Sequence, residues 1–285
     1  MYNEKKIKKS ELFQLILLNG IYSLSGSEQI IFQGGTALRW IYGGMRLSED
    51  LDFLTPLPKS KIETILAQTL KNTANPCIAQ FGPGRLETKK KKGRMEALKT
   101  FFIYRQDNQR ERIAVKVEFE MLHEGYLPDH NPFVLRDIPS VSAMIANGDL
   151  VMPYSSSIVI TETPEEIFTD KIRAIYERKY LRGRDIYDIW WLSQQFDIQH
   201  AWTMVRKKLS ITKAKFIPAR EANFFQKKRN TIHLINTLEA DLPRFIPENI
   251  YALYNENGFD VFIQSLKKVT STLLKQGMEE YFNLI

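Results

Sequence analysis

The sequence predicts an α+β protein in which a sheet-bearing part over residues 1–160 is followed by a mainly helical part over residues 161–285. Three observations carry this. Asp50-Leu51-Asp52-Phe53-Leu54 and Val115-Lys116-Val117-Glu118-Phe119-Glu120 alternate apolar and polar residues with the period of a half-buried strand. Thr163-Pro164-Glu165-Glu166 has the composition of a helix start, with Thr as N-cap, Pro at the first helical position and Glu three residues after the cap. Beyond it, helical periodicity is broken only at Gly183, Pro218, Pro243, Pro247 and Gly258.

The elements follow in chain order. Residues 4–20 read as an amphipathic helix ending at Asn19-Gly20, and Ile30-Ile31-Phe32 as a short buried strand. A Gly34-Gly35 turn opens a short helix from Thr36 to Ile41, and Gly43-Gly44 ends it. The strand at 50–54 places Asp50 and Asp52 on one face, because successive side chains of a strand point to opposite sides. Pro58 to Lys71 reads as a helix whose apolar face is Ile62, Ile65, Leu66 and Leu70. Strands are predicted near Leu98–Tyr104, Ile113–Phe119 and Ile158–Ile160, with an irregular Pro-containing stretch before the last. The helix opened by Thr163 is predicted to run to about Leu181, and the next from Arg184 to Gln195.

Composition bounds the function. With 285 residues, 44% of them apolar, the chain can bury a sizeable core. A single cysteine, Cys77, excludes an intrachain disulfide and a Cys-rich zinc site, which fits a reducing compartment. The Lys-rich first ten residues precede only a brief apolar stretch, and no run has the ~18 apolar residues of a membrane span. A cytoplasmic protein without a membrane partner is therefore expected. The net charge of +7 lies wholly in residues 1–120, which carry 20 Lys and Arg against 13 Asp and Glu. That asymmetry suits a polyanionic partner, nucleotide or nucleic acid.

The most informative segment is Gly34-Gly35-Thr36-Ala37-Leu38, followed by Arg46-Leu47-Ser48-Glu49-Asp50-Leu51-Asp52-Phe53. Two carboxylates at i and i+2 on a strand can hold a divalent cation whose other ligands are phosphate oxygens. A glycine pair before a helix lets backbone N–H groups approach those phosphates. A lone Asp-x-Asp more often marks a solvated strand end after an ordinary glycine turn. The joint pattern favours a metal-plus-triphosphate site.

This pattern resembles the first motif of the AbiEii/AbiGii toxins of the nucleotidyltransferase superfamily. The resemblance implies a polymerase-beta-like nucleotidyltransferase sheet in which Asp50 and Asp52 bind Mg²⁺. Gly34, Gly35 and Thr36 would cradle the triphosphate, with Arg46 and Ser48 of the Arg-x-Ser-Glu-Asp motif beside them. It further implies a toxin of a bacterial toxin–antitoxin or phage-defence system, a nucleoside triphosphate substrate, a cognate antitoxin and, as acceptor, the tRNA 3′ end. Nucleotidylation of a protein or small molecule, or a non-catalytic nucleotide- or RNA-binding module, are the other readings.

A third carboxylate is usual on a neighbouring strand of such sites. Lys116, Glu118 and Glu120 share a strand face, and the segment resembles the family's Lys-x-Glu strand. Glu118 is the expected residue, as metal ligand or general base, with Glu120 competing. A second resemblance covers Asp170-Lys171-Ile172-Arg173-Ala174, Arg178 and Arg184-Asp185-Ile186-Tyr187-Asp188. It implies that Lys171 contacts the nucleotide phosphates and that Asp185 supports the site. Read without it, Lys171 can equally snorkel, and Arg184 and Asp188 can form an i, i+4 ion pair.

Two basic runs, Arg85 with Lys89–Lys92 and Arg94, and Lys213, Lys215, Arg220 with Lys227–Arg229, are candidate RNA contacts or solvated segments. His123, His130, His200 and His233 lack metal-ligand spacing, and Cys77 lacks a base partner. None is assigned to catalysis.

Overall fold

A computed structural model describes residues 4–91, 97–153 and 157–284. The chain divides into two compact units, Asn3–Glu162 and Thr163–Ile285.

The first unit is built on a seven-stranded mixed sheet. Its strands are β1 (Ile31–Gln33), β2 (Asp50–Thr55), β3 (Gly84–Lys91), β4 (Ala97–Gln106), β5 (Arg112–Met121), β6 (His130–Val134) and β7 (Ile158–Glu162), in the order β3-β4-β5-β2-β1-β7-β6. β2 lies parallel to β5 and antiparallel to β1. Strict alternation sorts the side chains. Leu51, Phe53, Val115, Val117 and Phe119 are buried, while Asp50, Asp52, Lys116 and Glu118 form a partly exposed polar face. The helices α1 (Glu4–Tyr22) and α3 (Lys59–Phe81) contribute to the apolar layer, where Phe53 stacks on Phe119 at 5.0 Å, Tyr22 meets Phe53, and Phe81 meets both Phe13 and Tyr104. Burial of these aromatics is the main force holding the layers together.

Several boundaries differ from those expected. α1 runs past Asn19-Gly20 to Tyr22, because Gly20 is a packing position: a Cβ there would stand 2.3 Å from Cγ2 of Thr73 on α3. α3 continues ten residues beyond Lys71, through Pro76. The proline forgoes only its own hydrogen bond to the Asn72 carbonyl. The Lys-rich run is not a loop. Arg85 to Lys91 form most of β3, whose alternation places Lys89 and Lys91 on the polar face, while Lys90 turns to α3 and meets Glu63 at 2.9 Å. Lys92 and Arg94 lie outside the described residues. The irregular stretch contains β6 and the short helix α4 (Pro139–Ala146).

The second unit is helical: α5 (Pro164–Glu177), α6 (Gly183–Gln195), α7 (Trp202–Ile211), α8 (Thr231–Asp241), α9 (Glu248–Asn255), α10 (Asp260–Lys275) and α11 (Met278–Leu284). Thr163 caps α5 as expected, its hydroxyl accepting from the Glu166 N–H at 3.4 Å. α5 stops at Glu177, four residues short of Leu181. Its terminal carbonyls are taken by Arg220, which donates to Ile175 O and, at 2.6 Å, to Arg178 O. Lys227 pairs with Glu221. These two members of the second basic run therefore have local structural work. Among the described residues no helix is long and apolar enough to cross a membrane.

Candidate active site

Register brings the predicted carboxylates together. Asp52 stands opposite Glu118 in the parallel β2–β5 pair, and Asp50 stands opposite Lys116. Glu120 pairs with Leu54, which separates it by about 7 Å of strand from Asp52 and by about twice that from Asp50. Glu118 is thus the carboxylate beside Asp52.

The polar face is cross-linked by two lysines. Lys116 Nζ lies 2.7 Å from Asp50 Oδ2 and 3.1 Å from Glu118 Oε2, and Lys99 of β4 pairs with the other Glu118 oxygen. Burial alone would raise the Glu118 pKa, but its hydrogen bonds and charge interactions with Lys99 and Lys116 outweigh this and hold it below the usual carboxylate range. Burial works against the Lys116 ammonium too, and the charges of Asp52, Asp50 and Glu118 overcome it, raising its pKa. Glu118 and Lys116 thus each favour the charged form of the other.

The loop between β1 and β2 is shaped to this face. Gly34 adopts a left-handed φ of 78°, and a Cβ there would lie 3.1 Å from Asp52 Oδ2. Only glycine allows both the turn and the close approach. Gly34 also begins helix α2 (Gly34–Trp40), two residues earlier than expected. A Cβ on Gly35 would collide at 2.2 Å with Arg46 Nη2 and lie 3.1 Å from the Ser48 hydroxyl. Arg46 is buried and donates to the Leu47 carbonyl at 2.7 Å. Gln14 of α1 donates to the Ser48 carbonyl at 2.7 Å. Thr36 is also buried, and its hydroxyl donates to the Asp50 carbonyl, so it anchors the start of β2. Gly34, Gly35, Thr36, Arg46 and Ser48 therefore form one compact support around the aspartates.

Within the helical unit, Lys171 and Asp185 meet directly. Lys171 Nζ is 3.4 Å from Asp185 Oδ1 and 2.9 Å from Asp188 Oδ2, and Arg178 pairs with the remaining Asp185 oxygen. All but Arg178 are buried. Lys171 does not snorkel, because its ammonium ends between two carboxylates. Burial would raise the Asp185 pKa, but Arg178, Lys171, Arg184 and Arg182 drive it well below the ordinary value. Asp188 joins Lys171, and the Arg184 guanidinium lies 4.4 Å from the Phe245 ring centroid.

Carboxylate oxygens on one strand face are the donor type that a hard divalent cation takes, and Lys116 shows that Asp50 and Glu118 already converge on a single positive charge. Among the described residues no three His, Cys, Asp or Glu side chains are gathered as a ready-made metal cluster. Asp50 and Asp52 nevertheless fit as ligands, with phosphate oxygens completing the set. Cys77 is buried, its thiol pushed up to about 12 by desolvation, which leaves it inert as a nucleophile.

The sequence profile described as nucleotidyl transferase AbiEii toxin, type IV toxin–antitoxin system, matches residues 16–262. The chain belongs to the AbiEii nucleotidyltransferase toxin family. Its fold agrees with two crystal structures from Helicobacter pylori. One, of a provisionally named nucleotidyltransferase, has a TM-score of 0.51 at 17% identity, covering 96% of this chain and 98% of that one. The other, JHP933, has a TM-score of 0.52 at 16% identity, covering 100% of both chains. No curated protein matches the sequence. As an AbiEii toxin the chain is a nucleotidyltransferase of a type IV system, which implies a nucleoside triphosphate substrate and an antitoxin partner.

Two lysines of this polar face carry no assigned role in the sequence. Lys99 is recognisable only through its register with Glu118, and Lys116 enters only through the shared strand face and the Lys-x-Glu resemblance. Their signal is the same alternation that revealed Glu118, applied to cations instead of carboxylates.

Proposed function

We propose that the protein transfers a nucleoside monophosphate from a triphosphate to the 3′-terminal hydroxyl of tRNA, in the cytoplasm of a bacterium and in the setting of phage defence. The observation that carries the reading is the register of Asp50 and Asp52 with Lys116 and Glu118, directly against the Gly34 turn. Asp50 and Asp52 would hold Mg²⁺, which supplies charge neutralisation and polarisation at the triphosphate when bound. The acceptor hydroxyl attacks the α-phosphorus and releases its proton to solvent, while the bond from the α-phosphorus to the bridging oxygen breaks and pyrophosphate leaves. Glu118, held anionic by two lysines, is a weak proton acceptor and a good anionic ligand, so it acts by completing the metal shell and orienting Lys116. Lys171 as phosphate contact and Asp185 as its support rest on the motif resemblance.

The tRNA acceptor is favoured by the positive charge of the first 120 residues and by Lys89, Lys91 and Lys99 on the polar face. The test is incubation of the whole chain with each α-labelled triphosphate, Mg²⁺ and separate tRNA, protein and small-molecule acceptors. Label on tRNA that is abolished by periodate oxidation of the 3′ end, and by chelation of Mg²⁺, is the expected result. Label on protein or a small molecule would replace tRNA as the acceptor.

The division of the lysine run makes a further prediction. If Lys89 and Lys91 meet RNA phosphates, neutralising both lowers the salt dependence of RNA binding by about two phosphate contacts, whereas Lys90→Ala leaves it unchanged. Equal effects from all three lysines, measured as the slope of log affinity against log salt, would refute the assignment.

A further inference from the structure

The polar face of the sheet carries one aromatic ring that the chemistry above does not use. Phe101 of β4 stands in register with Lys116 of β5 on one side and Lys89 of β3 on the other. By parity it lies on the same face as Lys99, Arg105, Arg112, Lys116 and Glu118. Every other polar-face position of β4 and β5 is charged or aliphatic. Several aromatic residues of the opposite face contact one another, as Phe32, Phe53 and Phe119 do at 5.4 and 5.0 Å, and all of those on β4 and β5 are buried. Among the described residues Phe101 meets no other aromatic ring, and it is only half-buried.

Phe101 lines a cavity of about 670 Å³ that also reaches Asp50, Lys116, Ala114, Arg112 and Gln109. That volume lies in the range of small-ligand sites. The small Ala114 stands diagonal to Phe101 and leaves room beside the ring. The lining sets Lys9, Arg112 and Lys116 against Glu49, Asp50 and Glu111, so cations that can take phosphate oxygens stand beside the π-face of the ring, with Lys89 in register next to it. Aromatic platforms set in a basic groove are how single-stranded nucleic acid is held without base-specific readout. A core aromatic would instead be placed on the helix-covered face.

We propose that Phe101 is the stacking platform for a nucleobase whose sugar and phosphate lie at Asp50 and Lys116, with Arg112 and Gln109 as hydrogen-bond donors for the base edge. The inference rests on the nucleotidyl-transfer reading and deepens it by naming a positioning residue. The base belongs either to the nucleoside triphosphate or to the terminal nucleotide of the acceptor, and the same ring chemistry serves both.

The experiment uses the full chain and its Phe101→Ala, Phe101→Leu and Phe101→Trp variants. Dissociation constants for the four triphosphates and for a short single-stranded RNA are measured directly, alongside kcat and KM for transfer and the melting temperature. Loss of one stacked base corresponds to a weakening of about 5- to 140-fold. Phe101→Ala and Phe101→Leu should show it in Kd and KM, with the melting temperature retained and with Phe101→Trp close to wild type. A loss confined to triphosphate assigns the base to the donor, and one confined to RNA assigns it to the acceptor. Wild-type affinity for both ligands in Phe101→Ala, or in Phe101→Leu, overturns the proposal while leaving the transfer reading intact. Weakened binding in Phe101→Ala from a wild-type chain that transfers nothing would support the platform and sink the transfer reading. A wild-type chain that binds neither ligand overturns both.

Discussion

Asp52→Asn is expected to lower kcat/KM for nucleotidyl transfer by at least about a thousandfold, and Asp50→Asn by a similar factor. Each removes one anionic oxygen donor from the strand face that would hold Mg²⁺, and a metal contribution of several kcal/mol to the transition state translates into a factor of that size. Folding should survive. Both side chains are partly exposed, the amide is nearly isosteric, and neither contributes to the Phe53–Phe119 layer beneath. The comparison requires equal thermal melting of variant and wild type and saturating Mg²⁺. Wild-type turnover by either variant would remove that residue from the metal shell. Asp50→Asn has a second consequence, because Lys116 then loses one of its two salt-bridge partners and keeps Glu118, with the charge of Asp52 nearby.

Asp185→Ala is expected to destabilise the helical unit by about 3–5 kcal/mol. Asp185 is 2% exposed and joins Lys171 to Arg178, so its removal leaves a buried ammonium with only Asp188 and a guanidinium without this partner. Denaturant unfolding gives the measurement, and a midpoint within experimental error of wild type would refute the account. The same group predicts a pH dependence. Its folded-state pKa is depressed below the unfolded value of about 3.9, so its contribution is fully present above that value. The contribution is lost as pH falls through the depressed folded pKa. Acid unfolding below about pH 4 should therefore be less steep in Asp185→Ala than in wild type.

Much of the architecture was legible because it obeys local periodicity. β2 and β5 alternate strictly, since one face packs on helices and the other meets solvent. The Thr163 cap was equally plain, as its hydrogen bond spans three residues. β3 was hidden because four successive lysines erase the contrast between faces. What orders Lys89 to Lys91 is pairing along β4 and the contact of Lys90 with Glu63, which is distant in sequence. The last ten residues of α3 fell outside the predicted helix; there, packing of Thr69 and Thr73 near Gly20 outweighs the single hydrogen bond missing at Pro76. In the candidate site, Asp50, Asp52 and Glu118 could be named from alternation and resemblance. Their alignment depends on the β2–β5 register, a long-range pairing that no local pattern encodes. The choice of Lys171 over Arg184 as partner of Asp188 likewise depends on how α5 packs on α6.

The bridge from Lys116 to Asp50 and Glu118 bears on the life of the molecule before any substrate arrives. Carboxylates crowded on adjacent strands repel one another, and in many metalloproteins that repulsion makes folding contingent on the ion. Here two lysines of the same sheet offset it internally. The nascent chain can therefore complete its sheet in metal-poor conditions. Withholding a cation is therefore not expected to keep the sheet from folding.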